Sequence, residues 1–94
     1  MLRITENLEN GAVVRLRLDG NLSVESYADL EAIFQRYNTS ASRTIILDMA
    51  GLDFISDEPA RQLVKLRGER LRIINCSPFI VTLLETLDSQ GIGQ

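Results

Sequence analysis

Hydrophobic and polar residues alternate at the start of the chain: Leu2 and Ile4 are separated by Arg3 and Thr5, and Val14, Leu16 and Leu18 by Arg15 and Arg17. Between the two runs stands Asn10-Gly11, a turn signal, so the pattern predicts a β-hairpin with one face in water. Gly20-Asn21 ends the second strand. From Ser23 the period becomes helical, with Tyr27, Leu30, Ile33, Phe34 and Tyr37 on one face. Glu25, Asp29 and Glu31 lie towards its start, where the helix dipole favours acids. The polar stretch 38–43 reads as a loop. Thr44-Ile45-Ile46-Leu47 is then unbroken and β-branched, as expected of a central strand covered on both faces.

After Asp48, the residues from Met49 to Ile55 read as a loop that turns apolar side chains inward. Ser56-Asp57-Glu58-Pro59 carries the marks of a helix start, with a capping serine or aspartate, acids and a proline in the first turn. Ala60, Leu63 and Val64 form the buried stripe of a short helix that Gly68 closes. Leu71, Ile73 and Ile74 make another strand among Arg70 and Arg72, and Ser77-Pro78 opens a last helix with Ile80, Leu83, Leu84 and Leu87 on one face. Residues 88–94 are polar and glycine-rich and are expected to fray. The order predicts a single α/β domain over residues 1–94, β-β-α-β-α-β-α. An antiparallel hairpin leads into parallel strands of a mixed four-stranded sheet, with the helices packed on it.

Composition narrows what such a domain can do. With 94 residues, 45% of them hydrophobic, the chain can build one modest core. Lys and Arg number 10 against 13 Asp and Glu, a net charge of −3, and the basic residues are scattered. No nucleic-acid footprint results. No run approaches the roughly 20 apolar residues of a membrane span, and MLRITENLEN lacks a signal-peptide core, so a cytoplasmic protein without membrane insertion is expected. The chain has no histidine, which removes the commonest general base, the commonest transition-metal ligand and any Ser-His-Asp or Cys-His triad. Cys76, the single cysteine, has no partner for an internal disulfide and reads as a half-buried structural thiol. The acids are dispersed and lack calcium-loop spacing, so neither a metal nor a cofactor is expected. Asp48, Asp53, Asp57 and Glu58 could gather near one loop, yet they come without a nucleophile, and an enzyme ranks last. Tyr27, Phe34, Tyr37, Phe54 and Phe79 are expected in the core, and Arg3, Arg15, Arg17 and Arg72 on solvated strand faces.

Val14 to Gly20, the helix near Ser23, and above all Ile45-Ile46-Leu47-Asp48-Met49-Ala50-Gly51-Leu52-Asp53-Phe54-Ile55 together resemble the STAS domain, the fold family of bacterial anti-sigma factor antagonists. The likeness covers nearly the whole chain in order and spacing. That family has a strand ending in aspartate, a small loop, an apolar pair, and then an Asp-Ser-Ser/Thr-Gly motif opening a helix. Asn75-Cys76-Ser77-Pro78 suits it as well. Relative to the family the chain is shortened: nothing beyond Ile92 corresponds to its terminal strand and helix, which implies a sheet edge open to a partner or to a homodimer.

In the sigma-regulating members the resemblance implies a switch, in which a kinase that is also the anti-sigma factor phosphorylates a Ser or Thr at the helix start and so abolishes binding. Alignment on Phe54-Ile55 puts Ser56 at the family's Asp, Asp57 at the first Ser, Glu58 at the usual acceptor and Pro59 at the Gly. The acceptor position is an acid. In one reading Ser56 to Pro59 only cap a helix. In another, Asp57 and Glu58 hold the surface permanently in a phosphorylated-like state. In a third, Ser56 itself is phosphorylated against the repulsion of its acidic neighbours. The family's Gly-x-hydrophobic-Asp is here Gly20-Asn21-Leu22-Ser23, and Ser23 reads as a helix cap.

The resemblance therefore implies a non-enzymatic interaction module of the antagonist type, whose partner is an anti-sigma factor and serine kinase of ATPase fold. Docking is expected through Ile55, Ser56, Asp57, Glu58 and Arg61, with Asn21, Leu22 and Ser23, and with Asn75 and Ser77. These loops follow strands and should gather at their carboxyl ends. The alternative is a structural STAS subunit of a larger assembly, such as a lipid-transport ABC complex, bound to a transporter ATPase. A small-ligand sensor comes third, although Gly11, Gly20, Gly51 and Gly68 are isolated and form no phosphate-cradling loop.

Overall fold

Strand β1 (Leu2–Asn10) turns at Gly11-Ala12 into β2 (Val13–Leu22), and the two pair antiparallel from Leu2↔Gly20 to Asn10↔Val13. Helix α1 (Val24–Asn38) then crosses to β3 (Thr44–Ile55), α2 (Asp57–Leu66) to β4 (Leu71–Ile74), and α3 (Pro78–Ile92) follows. This computed structural model describes residues 2–38, 43–68 and 70–92. The loop expected over 38–43 lies mostly outside them, as do the last two residues. The sheet order is β1-β2-β3-β4, with β2, β3 and β4 parallel, as the order of elements predicted.

Two successive right-handed crossovers in one direction place α1 and α2 on the same face of the sheet. Burial follows that geometry. Val14, Leu16 and Leu18 of β2, Ile45, Leu47 and Met49 of β3, and Leu71 of β4 form one buried cluster with Leu30 and Phe34 of α1, Leu63 of α2, and Ile80 and Leu84 of α3. The intervening strand residues face away from the helices. Arg15, Ile46 and Ile74 are half-buried there, while Arg3, Thr5, Arg17 and Arg72 are exposed.

The expectation that β3 is covered on both faces is thus corrected. Ile46 stands half-buried on the open face between its cross-strand neighbours Arg15 and Arg72.

Element boundaries also differ from the sequence reading, and β2, expected to end at Gly20-Asn21, runs on through Leu22. Residues 49–55, read as a loop, continue β3. Between Arg17↔Asp48 and Asp19↔Gly51, and again between Gly20↔Leu52 and Asn21↔Phe54, β3 carries one residue more than β2. The core-facing positions consequently run Ile45, Leu47, Met49, Leu52, Ile55, a spacing that no single period describes. Gly51 sits at the first of these irregularities, where a Cβ would overlap the Asp19 carboxylate and lie 3.1 Å from the Leu18 carbonyl oxygen. Helix α2 ends at Leu66 because Arg67 is extended (φ −62°, ψ 133°), so the break precedes Gly68. Helix α3 continues past Asp88 to Ile92, through much of the stretch expected to fray.

Candidate functional site

The carboxyl ends of β2 and β3 meet where Leu22 pairs with Ile55, and the Ser56 N–H donates to the Leu22 carbonyl oxygen at 2.9 Å. This bond fixes the starts of α1 and α2 side by side. At α1, the Ser23 hydroxyl accepts from the Ser26 N–H at 3.2 Å and lies 2.9 Å from the Ser26 hydroxyl. Ser23 is therefore the cap the sequence predicted. At α2 the N-cap is Ser56, but its side chain makes no capping hydrogen bond. The Ser56 carbonyl oxygen accepts from Ala60, and Asp57 and Glu58 supply negative charge in the first turn. Glu58 projects outward, accepting from Gln62 at 3.0 Å and lying 3.8 Å from Arg61.

The side chains on this end divide into two kinds. Leu22 and Ile55, both expected to touch a partner, are fully buried; they belong to the core and position the loop from beneath. Asn21, Asp57, Glu58 and Arg61 are exposed, and Ser23 and Ser56 are half-buried. Phe54, expected in the core, is 48% exposed beside Asn21, and Val24 at the head of α1 is 61% exposed. Phe79, also expected in the core, is exposed in the first turn of α3. The second extra residue in β3 rotates Phe54 off the core face, a shift invisible to strict alternation.

The third predicted loop lies elsewhere. Strand β4 ends level with the middle of β3, at Asp48↔Ile74, seven residues before Ile55. Asn75 adopts a positive φ of 59°, a conformation asparagine tolerates. Its side-chain amide donates to Asp48 Oδ1 at 3.1 Å. Ser77 caps α3, accepting from the Ile80 N–H at 3.3 Å. Asn75 and Ser77 thus organise the β4–α3 connection next to Asp48 and are not drawn to the α2 start by the strand register.

Asp48 is the buried polar residue at the centre of the sheet's open side, 5% exposed. Arg15 Nη2 donates to its Oδ2 at 2.9 Å, and the Ala50 N–H and Asn75 donate to Oδ1. Burial pushes the Asp48 pKa up, but those three donors and the Arg15 charge outweigh it and hold the carboxyl at about 2. Glu9 also approaches Arg15, at 3.6 Å, so two of the four arginines read as solvated, Arg15 and Arg17, are ion-paired, the latter to Asp19. Asp48, Asp53, Asp57 and Glu58 do not converge: among the described residues no three acidic or cysteine side chains come together as metal ligands would. Cys76 is half-buried, and burial raises its thiol pKa.

No protein-family model and no curated protein matches this chain. Among solved structures, it is similar to the anti-sigma factor antagonist SpoIIAA in its unphosphorylated form, at 19% identity and a TM-score of 0.68, over 88% of this chain and 82% of that one. The fold is STAS-like. A protein of the DUF3478 family from Shewanella loihica PV-4, described as having a SpoIIAA-like fold, matches at 15% identity and a TM-score of 0.56, over 83% of this chain and 69% of the other. At these identities the likeness speaks of architecture. Within the STAS-like frame, the residue at the expected acceptor position is an outward-facing glutamate at an uncapped helix start. No helix among the described residues is long and apolar enough to cross a membrane.

Proposed function

We propose that this chain is a cytoplasmic, non-enzymatic interaction module that docks on a protein partner through the joined ends of β2 and β3 and the start of α2. The observation that carries the reading is Phe54, a large aromatic side chain left 48% exposed opposite Asn21 of β2 and just ahead of the acidic first turn of α2. An exposed aromatic ringed by polar groups is the usual anchor of a protein interface. The STAS-like fold adds the partner class: an anti-sigma factor and serine kinase of ATPase fold, as for an anti-sigma factor antagonist. Glu58 in place of a hydroxyl acceptor makes the relationship constitutive, with Ser56 as a weak substitute for modification.

That same absence of a hydroxyl at position 58 favours a second reading, a structural subunit of an assembly such as a lipid-transport ABC complex. Affinity capture from the native lysate with wild type, Glu58→Ser and Phe54→Glu, read by mass spectrometry, separates the two. An ATPase-fold kinase that phosphorylates or grips Glu58→Ser differently from wild type, and is lost with Phe54→Glu, supports the first reading. A transporter ATPase held equally by wild type and Glu58→Ser replaces it with the second. A partner of either kind held undiminished by Phe54→Glu refutes the proposed surface. The free edge of β4 makes a second copy of this chain a further species to look for in the same eluates.

A further inference from the structure

At the opposite end of the sheet, the last turns of α1 and α2 and the first residues of β3 and β4 line a cavity of about 240 Å³ that is open to solvent on one side. We propose that this cavity binds a small apolar monocarboxylate, independently of the docking surface at the start of α2. Its walls are mainly hydrocarbon: Phe34, Ile45 and Leu71 are buried around it, and Leu66 stands at its edge half-exposed. Without an occupant, Leu66 is a large apolar side chain left facing water.

The polar groups say what sign the occupant carries. Arg43 and Arg70 line the cavity against a single acid, Glu31, which leaves one net positive charge. The Arg43 Nε is buried and has no hydrogen-bond acceptor among the described residues. The guanidinium lies 5.5 Å from the centre of the Tyr37 ring, so the ring meets its charge but offers no acceptor in the plane of its N–H groups. The Tyr37 hydroxyl is itself committed, donating to Glu6 at 2.7 Å. A buried donor without an acceptor is costly, and a carboxylate presented in the guanidinium plane would satisfy it with charge-assisted hydrogen bonds. Glu31 and the apolar walls disfavour a dianion such as phosphate. The volume holds about eight water-sized groups at ~30 Å³ each, room for roughly a six- to eight-carbon chain.

Sodium octanoate is the probe, with octanamide as its neutral counterpart. Calorimetric titration and amide NMR shifts would be followed on wild type, Arg43→Gln and Arg43→Lys, each first checked for cooperative thermal unfolding. The expected result is saturable octanoate binding, with shifts centred on Phe34, Ile45, Leu66 and Leu71. Affinity should fall at least about 10-fold for octanamide and for Arg43→Gln, the loss expected for one charge-assisted hydrogen bond, with the affinity of Arg43→Lys between those of wild type and Arg43→Gln. Any of three results overturns the proposal: no saturation of wild type by about 10 mM octanoate, equal binding of octanamide, or shifts confined to another part of the sheet. The octanamide comparison uses wild type alone, so the test stands even where an Arg43 variant fails to fold.

Discussion

Replacing Asp48 by asparagine keeps the shape of the side chain and an acceptor for the Ala50 N–H but removes the charge that Arg15 meets. Folding holds this carboxyl at about 2 against an ordinary 3.8. At ~1.4 kcal/mol per pKa unit such a shift corresponds to roughly 2.5 kcal/mol of stability. The carboxylate is nearly covered, yet the cover is one layer of side chains on the open face of the sheet, so solvent screens the interaction and about 1–2 kcal/mol is the expected effect. The sign follows from the depressed pKa. The folded state favours the ionised form, so the stabilisation is complete above the unfolded value near 3.8 and fades as pH falls through about 2. Urea unfolding of wild type and Asp48→Asn between pH 7 and pH 2 checks it. Wild type should be the more stable by about 1–2 kcal/mol at neutral pH, and the gap should close between roughly pH 4 and pH 2. A gap that stays constant across that range, or no gap at pH 7, would refute the role given to the Asp48 charge.

The two helix starts invite a paired comparison. Ser23→Ala, which removes a formed cap, should cost about 1 kcal/mol, whereas Ser56→Ala, whose hydroxyl makes no capping bond, should stay within about 0.5 kcal/mol of wild type; equal losses in chemical denaturation would contradict the capping assignment. At Gly20, φ is 105°, a conformation closed to other residues, so Gly20→Ala should destabilise by about 1–2 kcal/mol. Gly11→Ala, where a Cβ meets nothing within 4 Å, should leave the melting temperature nearly unchanged, and a comparable drop for both would undo the distinction.

Much of the architecture was legible because it rests on local causes. The alternation in β1 and β2, the turn that follows Asn10, the helical period after Ser23 and the serine ahead of each helix each act within a few residues, and their order allows few topologies. The resemblance to the STAS family drew on the same order, and the fold bears it out. The positions of Ser56, Asp57 and Glu58 at the start of α2 could be read in the same way, since a proline and two acids together mark a first turn.

Local pattern, then, carries the succession of elements and the polarity of most strand and helix faces. Three features arise only when the strands assemble. Both crossovers fall on one side of the sheet, which leaves the other face open and brings Arg15, Asp48 and Asn75, far apart in sequence, into one hydrogen-bonded set. Strand β3 takes two extra residues relative to β2, which buries Ile55 and turns Phe54 out to solvent. Strand β4 stops level with Asp48, which parts the Asn75 loop from the start of α2. Each depends on pairing between residues distant in sequence, and the period of one strand assigns its faces without naming the residues it pairs with.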